Sequence, residues 1–241
     1  MLKMPLSTTD LVRYVSRQLS SVFPHGGVSR QALAPSVGHA LERLEYGFSH
    51  LRRKYYTDGR SALFDPFHTD QYAAFLYVLS HTIYRRHGDL SLAAKLYALN
   101  KALHAVDIFY EVQLPDIFAF EHPVGTVLGR ATFSNYLFVH QGCSVGSDDD
   151  DRYPTIGEGV ILYAGSALLG PCRVGHNCWL SAGARVMDTE VPPNTVVFGH
   201  SPDLVFRPTT RDVIRDIFNM PDPAGSSQPP EPTPAAVVGR R

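Results

Sequence analysis

Residues 156–186 read IGEGVI, LYAGSA, LLGPCR, VGHNCW and LSAGAR, followed by a valine, and this stretch repeats every six positions. The first position of each hexad is always aliphatic: Ile156, Leu162, Leu168, Val174, Leu180 and Val186. The fifth position is always small: Val160, Ser166, Cys172, Cys178 and Ala184. Neither the helical period nor the strand period explains a repeat of six residues. The pattern predicts a three-sided solenoid in which each hexad forms one side and its aliphatic residue points inward.

The same register continues upstream, with one irregularity and one interruption. It passes through Leu128-Gly129, Val139 and Val145-Gly146, with one position deleted between residues 128 and 139. The segment SDDDDRYPT, residues 147–155, then breaks the pattern and predicts a loop extruded from the coil. Loops on a rigid scaffold commonly carry function. For the four consecutive aspartates, a solvated acidic loop is favoured over a cation site.

The first half of the chain has a different pattern of apolar residues. Apolar residues recur at helical spacing in three runs: Val37, Leu41, Leu44, Phe48, Leu51; Tyr72, Phe75, Leu76, Leu79, Ile83; and Leu92, Leu96, Leu99, Leu103. We therefore expect an α+β protein with a helical domain over 1–106 and the solenoid over 107–206. A short helix should follow over 207–219. The Pro-, Gly- and Ser-rich tail over 220–241 should be disordered.

Composition narrows the possible partners. The 241 residues carry a formal net charge of −1, and no segment concentrates Lys and Arg as nucleic-acid binding requires. The chain starts without a secretory signal pattern and contains no apolar run of the ~20 residues that span a bilayer. We expect no nucleic acid, no membrane and a cytoplasmic location. Cys143, Cys172 and Cys178 lack C-x-x-C spacing and should be buried, reduced thiols.

Further motifs flank the hexads. Val106-Asp107-Ile108 is followed by Glu121-His122-Pro123-Val124-Gly125-Thr126-Val127-Leu128-Gly129, so that 15 positions separate Asp107 from His122. Residues 151–156 read DRYPTI, and the hexads end in VPP at 191–193. From about Asp65 to Val205 the chain resembles the serine O-acetyltransferase branch of the hexapeptide-repeat acyltransferases. The resemblance implies a left-handed parallel β-helix, a homotrimer or dimer of trimers, and acetyl-CoA-dependent acetylation of L-serine or a similar small acceptor in cysteine biosynthesis.

Transfer of an acetyl group to an alcohol needs a base, and an imidazole with a pKa near ~6.5 suits that role at neutral pH. His122 is the candidate, and the resemblance assigns Asp107 as the carboxylate that holds its ring. The resemblance also places Asp65, Glu121, Arg152 and Tyr153 near the acceptor. Arg152 could hold an acceptor carboxylate by bidentate hydrogen bonds. Tyr153 replaces a histidine of the serine-specific enzymes and Glu121 replaces an aspartate, which leaves the acceptor open.

Small residues mark a candidate cofactor edge. Ala164-Gly165 and Ala182-Gly183 are 18 positions, or three hexads, apart and should stack on one edge of adjacent coils. The resemblance places the pantetheine arm of acetyl-CoA along that edge, in a groove between subunits that begins at Gly146. The alternative is that these residues are needed only for the turns of the solenoid.

Three alternatives stay open from the sequence. Some solenoids of this kind bind zinc through three histidines; His140 and His176 have a suggestive spacing, but Ser181 stands where a third ligand is expected, so no metal is predicted. A sugar or secondary-metabolite hydroxyl is the alternative acceptor to serine. Loss of the acceptor-side histidine at Tyr153 also allows a catalytically inactive scaffold, which acetyl-CoA would not protect against thermal unfolding.

Overall fold

The computed structural model describes residues 2–25 and 30–219. Helices fill the first half and a short helix follows the last strand. Their bounds are α1 Thr8–Val22, α2 Arg30–Ser49, α3 Thr69–His87, α4 Leu90–His104 and α5 Val213–Ile217. Ser7 caps α1 and Asp89 caps α4, because each side chain accepts a backbone N–H of the first turn. The tail predicted to be disordered, residues 220–241, lies outside the described residues.

The second half is a parallel solenoid with three faces. The first face contains β1 Phe118–Glu121, β4 Leu137–His140, β7 Val160–Leu162, β10 Cys178–Leu180, β13 Thr195–Phe198 and β14 Val205–Pro208. The second contains β2 Val127–Leu128, β5 Ser144–Gly146, β8 Ala167–Leu169 and β11 Arg185–Met187. The third contains β3 Thr132–Phe133, β6 Thr155–Ile156, β9 Arg173–Val174 and β12 Glu190–Val191. Each strand from β1 to β10 pairs in parallel with the strand three positions later, and β14 pairs antiparallel with β13.

The hexad pattern translates directly into burial. The six aliphatic first positions are all between 0% and 4% exposed, and the five fifth positions are buried as well. The deleted position lies between Leu128 and Phe133, because Leu128 pairs with Val145 and Phe133 pairs with Ile156. In the first coil, the segment that runs from the second face to the third face is therefore one residue shorter than a full hexad. The inward-pointing column predicted from the sequence is confirmed.

The corners of the solenoid determine where functional groups lie. The first corner joins the first face to the second, the second corner joins the second face to the third, and the third corner returns to the first face. Gly125, Gly142, Gly165 and Gly183 stack at the first corner with φ between 65° and 75°, which favours glycine. A Cβ added at Gly142 would lie 3.7 Å from the backbone of Gly165, so successive coils approach closely. Residues 147–154 form a loop at the second corner, where an extrusion was predicted.

The helical half packs against β1, at the start of the solenoid, and both halves share one hydrophobic core. The Tyr56 hydroxyl donates to the carbonyl of Phe120 in β1 at 3.0 Å, and the Tyr77 hydroxyl donates to the carbonyl of Val112 at 2.7 Å. Arg43 of α2 donates to the carbonyls of Leu114 and Pro115. These bonds to backbone fix α2 and α3 relative to β1. The three cysteines are unpaired and buried, as predicted.

Within the described part of the chain, no helix has both the length and the apolar character needed to cross a membrane.

Candidate active site

His122 lies at the first corner, directly after β1. Its backbone has φ 52°, an uncommon conformation for a residue other than glycine, and its imidazole is 76% exposed. Two cavities of about 290 and 360 Å³ meet at His122 and Asp70, which line both. The smaller is also lined by Thr69, Ala102, Leu103, His104, Ala105, Pro123 and Val124. The larger is also lined by Arg52, Arg53, Lys54, Tyr55, Tyr56, His68, Phe120, Glu121 and Phe138. His122 is thus open to small molecules from two sides.

The carboxylate beside His122 belongs to Asp70, in the first turn of α3. Asp70 Oδ2 accepts the backbone N–H of His122 at 3.1 Å and lies 4.0 Å from its Nδ1. The Asp70 side chain is only 8% exposed, although the imidazole beside it is open to solvent. The sequence analysis missed Asp70. An acidic residue at a helix start ordinarily indicates capping, and 52 positions separate it from His122.

Within one chain, Asp107 has partners other than the predicted His122. Its Oδ1 accepts the Tyr97 hydroxyl at 2.6 Å and its Oδ2 accepts Lys101 Nζ at 2.5 Å, both from α4. Burial opposes ionisation of this carboxyl, but the bonds from Lys101 and Tyr97 outweigh burial and lower its pKa. Among the described residues, no hydrogen bond or ion pair joins Asp107 to His122. The last turns of α4 lie against Asp107 and engage both of its oxygens.

Glu121, a predicted acceptor residue, lines the larger cavity next to His122. Its Oε2 lies 3.5 Å from Arg53 Nη2, and the Arg53 guanidinium lies over the Phe138 ring at 5.1 Å. Arg53 was not identified from the sequence, because a basic run between two helices carries no distinctive spacing. The cavity therefore presents a cation and an anion side by side at its wall.

Asp65, also predicted to contact the acceptor, has a local role. Its Oδ1 accepts the backbone N–H of Phe67 at 2.8 Å, and its own N–H donates to Gln71 Oε1 at 2.7 Å. It lies exposed in the turn before α3 and lines neither cavity at His122. Within the chain, Asp65 shapes the start of the helix that carries Asp70, and its contact with the acceptor stays a prediction.

Arg152 and Tyr153 lie in the loop at the second corner, away from the first corner of the same chain. Arg152 Nε and Nη2 each lie 2.6 Å from Asp148 Oδ2, and the Tyr153 hydroxyl donates to Asp151 Oδ1 at 3.2 Å. One chain does not bring these two predicted acceptor residues to His122. The acidic run here forms internal bonds to Arg152.

The predicted cofactor residues divide between two corners. Ala164 and Ala182 lie at the first corner with His122, each one residue before a glycine of the stacked column. At a spacing of about 4.8 Å between coils, Ala182 lies three coils and roughly 14 Å along the solenoid from His122. Gly146 ends β5 on the opposite side of the second face. The first corner thus forms an edge of small residues that starts at His122.

The two histidines considered for zinc lie apart. His140 ends β4, paired in register with Glu121, and its ring contacts the Tyr163 ring in a tilted arrangement with 4.9 Å between centroids. Burial lowers the pKa of His140. His176 lies at the third corner, between β9 and β10. In residues 2–25 and 30–219, no group of three or more His, Cys, Asp or Glu side chains is arranged to hold a metal ion.

Comparison with known proteins gives several relatives that bear the name serine acetyltransferase. The chain is 29% identical over 128 residues to serine acetyltransferase of Synechococcus elongatus, covering 52% of each chain. It is 30% identical over 125 residues to serine acetyltransferase of Mycobacterium tuberculosis, covering 50% of this chain and 54% of the relative. No family model matches the chain. The chain spans about half the length of these curated relatives.

Solved structures extend the likeness in fold. Serine acetyltransferase of Neisseria gonorrhoeae superposes with a TM-score of 0.61 at 23% identity, covering 86% of this chain and 81% of that one. A serine acetyltransferase in complex with CoA gives a TM-score of 0.54 at 18% identity, covering 81% and 75%. These structures share the order of a helical region followed by coiled parallel strands. In sequence and in fold, the chain is serine acetyltransferase-like.

Proposed function

We propose that this protein is an acetyl-CoA-dependent O-acetyltransferase acting on L-serine, with His122 as the general base. The observation that carries the proposal is an exposed imidazole at the head of the first-corner edge, where two cavities meet. The curated relatives bear the name serine acetyltransferase, and one solved neighbour is a complex with CoA. The role in cysteine biosynthesis and a cytoplasmic location belong to the same proposal; unpaired buried thiols fit a reducing compartment.

The chemistry needs one base and no covalent enzyme intermediate. His122 takes the proton of the acceptor hydroxyl as its oxygen attacks the thioester carbonyl carbon. The tetrahedral adduct then expels the CoA sulfur, which receives the proton from the imidazolium, leaving the O-acetyl ester and free CoA. General-base catalysis of this kind contributes about 10²- to 10⁴-fold to a rate. The pantetheine arm would lie along the edge that contains Ala164 and Ala182.

The larger cavity supports an amino-acid acceptor over a sugar. A zwitterion carries a carboxylate and an ammonium a few ångströms apart, and Arg53 with Glu121 presents the complementary charges. A guanidinium held over Phe138 retains its donors for a planar carboxylate. We assign Arg53 to the acceptor carboxylate and Glu121 to its ammonium. A sugar hydroxyl would leave this charged pair without a function.

The remaining predicted residues fit a threefold assembly of left-handed solenoids, as a homotrimer or dimer of trimers. Arg152 and Tyr153 lie at the second corner, whereas His122 lies at the first. A second copy that packed its second corner against this first corner would bring the two sets together and enclose the cofactor edge. Gly146, next to the second corner, would then line the same groove.

The proposal is tested by measuring release of free CoA with a panel of serine, homoserine, threonine and amino-sugar acceptors. We expect serine-dependent release and an O-acetylserine product by mass spectrometry. Arg53→Ala should raise the KM for serine by about 10-fold or more, the loss of a charge-assisted bond, and leave the KM for acetyl-CoA unchanged. Arg130→Ala, which removes a surface pair with Glu111, is the matched control. Turnover of amino sugars but not of serine would contradict the acceptor assignment.

The scaffold alternative makes a different prediction for binding. A ligand that binds only the native state at 100 times its Kd stabilises the native state by about 2.7 kcal/mol. We expect acetyl-CoA to raise the unfolding temperature. No shift at millimolar acetyl-CoA, together with no CoA release for any acceptor, would favour the scaffold.

A further inference from the structure

We propose that Asp70, on α3, is the positioning residue that orients the His122 imidazole. The inference rests on His122 being the base of the proposed reaction and replaces the role that the sequence assigned to Asp107. No residue outside the solenoid coils was expected to hold the base. The helical half would then supply part of the catalytic apparatus and not only structural support.

Asp70 lies close to both the backbone and the ring of His122. One carboxylate oxygen, Asp70 Oδ2, lies 3.1 Å from the backbone nitrogen of His122 and 4.0 Å from its Nδ1. Asp70 is thus the carboxylate that accepts a backbone hydrogen bond from this histidine and lies beside its ring. The hydrogen bond to the backbone N–H fixes the position of the His122 main chain. The contact at Nδ1 fixes which edge of the imidazole faces the protein.

The backbone of His122 is held in an uncommon conformation. A φ of 52° is strained for a residue other than glycine, and strain of this kind persists only where its surroundings impose it. The hydrogen bond from the His122 N–H to Asp70 is one restraint, and the bond from the Val124 N–H to the His122 carbonyl at 2.7 Å is the next. The strained turn projects the ring out of the corner into solvent. Asp70 therefore stabilises the conformation that exposes the base.

The charge of Asp70 also acts on the imidazole. A carboxylate facing Nδ1 favours the tautomer with a proton on Nδ1 and leaves Nε2 unprotonated to accept the hydroxyl proton. When the ring becomes an imidazolium, the 4.0 Å contact can shorten to a charge-assisted hydrogen bond, since catalytic contacts are often long before substrate binds. The 8% exposure of Asp70 limits screening of that attraction by water.

Other titratable groups face this pair and must be considered when a pH profile is interpreted. Tyr56 lies on the loop side, and burial together with Asp70 and Glu121 raises its pKa, so it stays neutral. On α4, His104 has its pKa lowered by burial, which Asp70 partly opposes. His140 and Arg53 face the ring from the first face and the larger cavity, and His68 lines that cavity as well. Asp70 is the anion closest to Nδ1 in this set.

The experiment compares Asp70→Asn with Asp107→Asn on two readouts. Asparagine keeps an oxygen for the His122 N–H and removes the charge. Imidazole ¹⁵N NMR, with the His122 signal assigned by its loss in His122→Gln, measures the ring pKa without any turnover. We expect Asp70→Asn to lower that pKa and to reduce kcat by at least about 10-fold with little change in the serine KM. Asp107→Asn should leave the His122 pKa unchanged.

The opposite pattern would overturn the inference: a lowered His122 pKa in Asp107→Asn and a wild-type value in Asp70→Asn. If Asp70→Asn does not fold, Asp70→Glu takes its place as the variant at this position, because it retains the charge. A change of the His122 pKa in Asp107→Asn would still refute the assignment. Wild-type protein that releases no CoA, combined with an Asp70-dependent His122 pKa, would refute the proposed function and leave the pairing intact. Active wild-type protein with an unaltered Asp70→Asn would refute the pairing alone.

Discussion

Acidification should destabilise this protein through a buried histidine, His81 of α3. Its Nδ1 donates to the carbonyl of Tyr110 at 2.8 Å, and its side chain stacks on Tyr77 inside the shared core. Burial, and secondly the nearby Arg43 guanidinium, lowers the pKa of His81 from 6.5 to about 4. The native state therefore keeps the ring neutral at a pH where the unfolded chain already binds a proton.

The size of the effect follows from the two pKa values. Between pH 6.5 and about 4 the unfolded state holds more protons, so the free energy of unfolding falls as the pH falls. The loss from His81 is about 2 kcal/mol at pH 5 and approaches about 3 kcal/mol near pH 4, where the native ring also becomes protonated. His104 and His140 have lowered pKa values and contribute in the same direction. The activity profile of His122 should thus be measured above pH 5.5.

Urea unfolding followed by circular dichroism between pH 7.5 and 4.5 measures this dependence. His81→Gln keeps a side-chain donor for Tyr110 but does not titrate, so its stability should fall less steeply with acid than that of the wild type. The difference between the two curves isolates His81 from the other histidines. Parallel curves for the two proteins between pH 7 and 4.5 would refute the reasoning.

Three further substitutions test the fold. Leu168→Ala removes a fully buried side chain from the inward column of the second face and should cost about 3 kcal/mol in urea unfolding, whereas Met187→Ala on the exposed side should cost less than about 0.5 kcal/mol. Equal effects would contradict the inward register. Asp107→Asn should cost roughly 1 kcal/mol at pH 7. Because the bonds from Lys101 and Tyr97 lower the native pKa of Asp107, this difference should shrink as the pH falls through that lowered pKa; a constant difference would contradict the bond to Lys101.

The sequence predicted the solenoid well because its determinants are local and periodic. The inward column from Ile156 to Val186 needs no information beyond the phase of the repeat, and burial follows the phase at each position. The position of the extruded loop followed from the same phase. The position of the deletion, between Leu128 and Phe133, needed the strand pairing, because a one-residue shortening can be absorbed at any corner.

The carboxylate beside His122 was harder to predict, because its position depends on contacts between distant segments of the chain. A spacing of 15 residues between Asp107 and His122 describes distance along the chain, whereas the contact partner depends on how α3 and α4 pack on the first coil. Tyr97 and Lys101 engage Asp107 from one helix, and Asp70 reaches His122 from another. Arg53 enters the cavity from the segment between α2 and α3. Contacts of this kind between distant segments have no periodic signature in the sequence.

The most direct test of the central claim is the serine-dependent release of CoA by wild-type protein and by His122→Ala, measured at pH 7.5 with saturating acetyl-CoA. Circular dichroism and the unfolding temperature confirm that the variant is folded. If His122 is the general base, the variant loses at least about 100-fold in kcat and still binds acetyl-CoA. A folded His122→Ala that releases CoA at the wild-type rate would contradict the account.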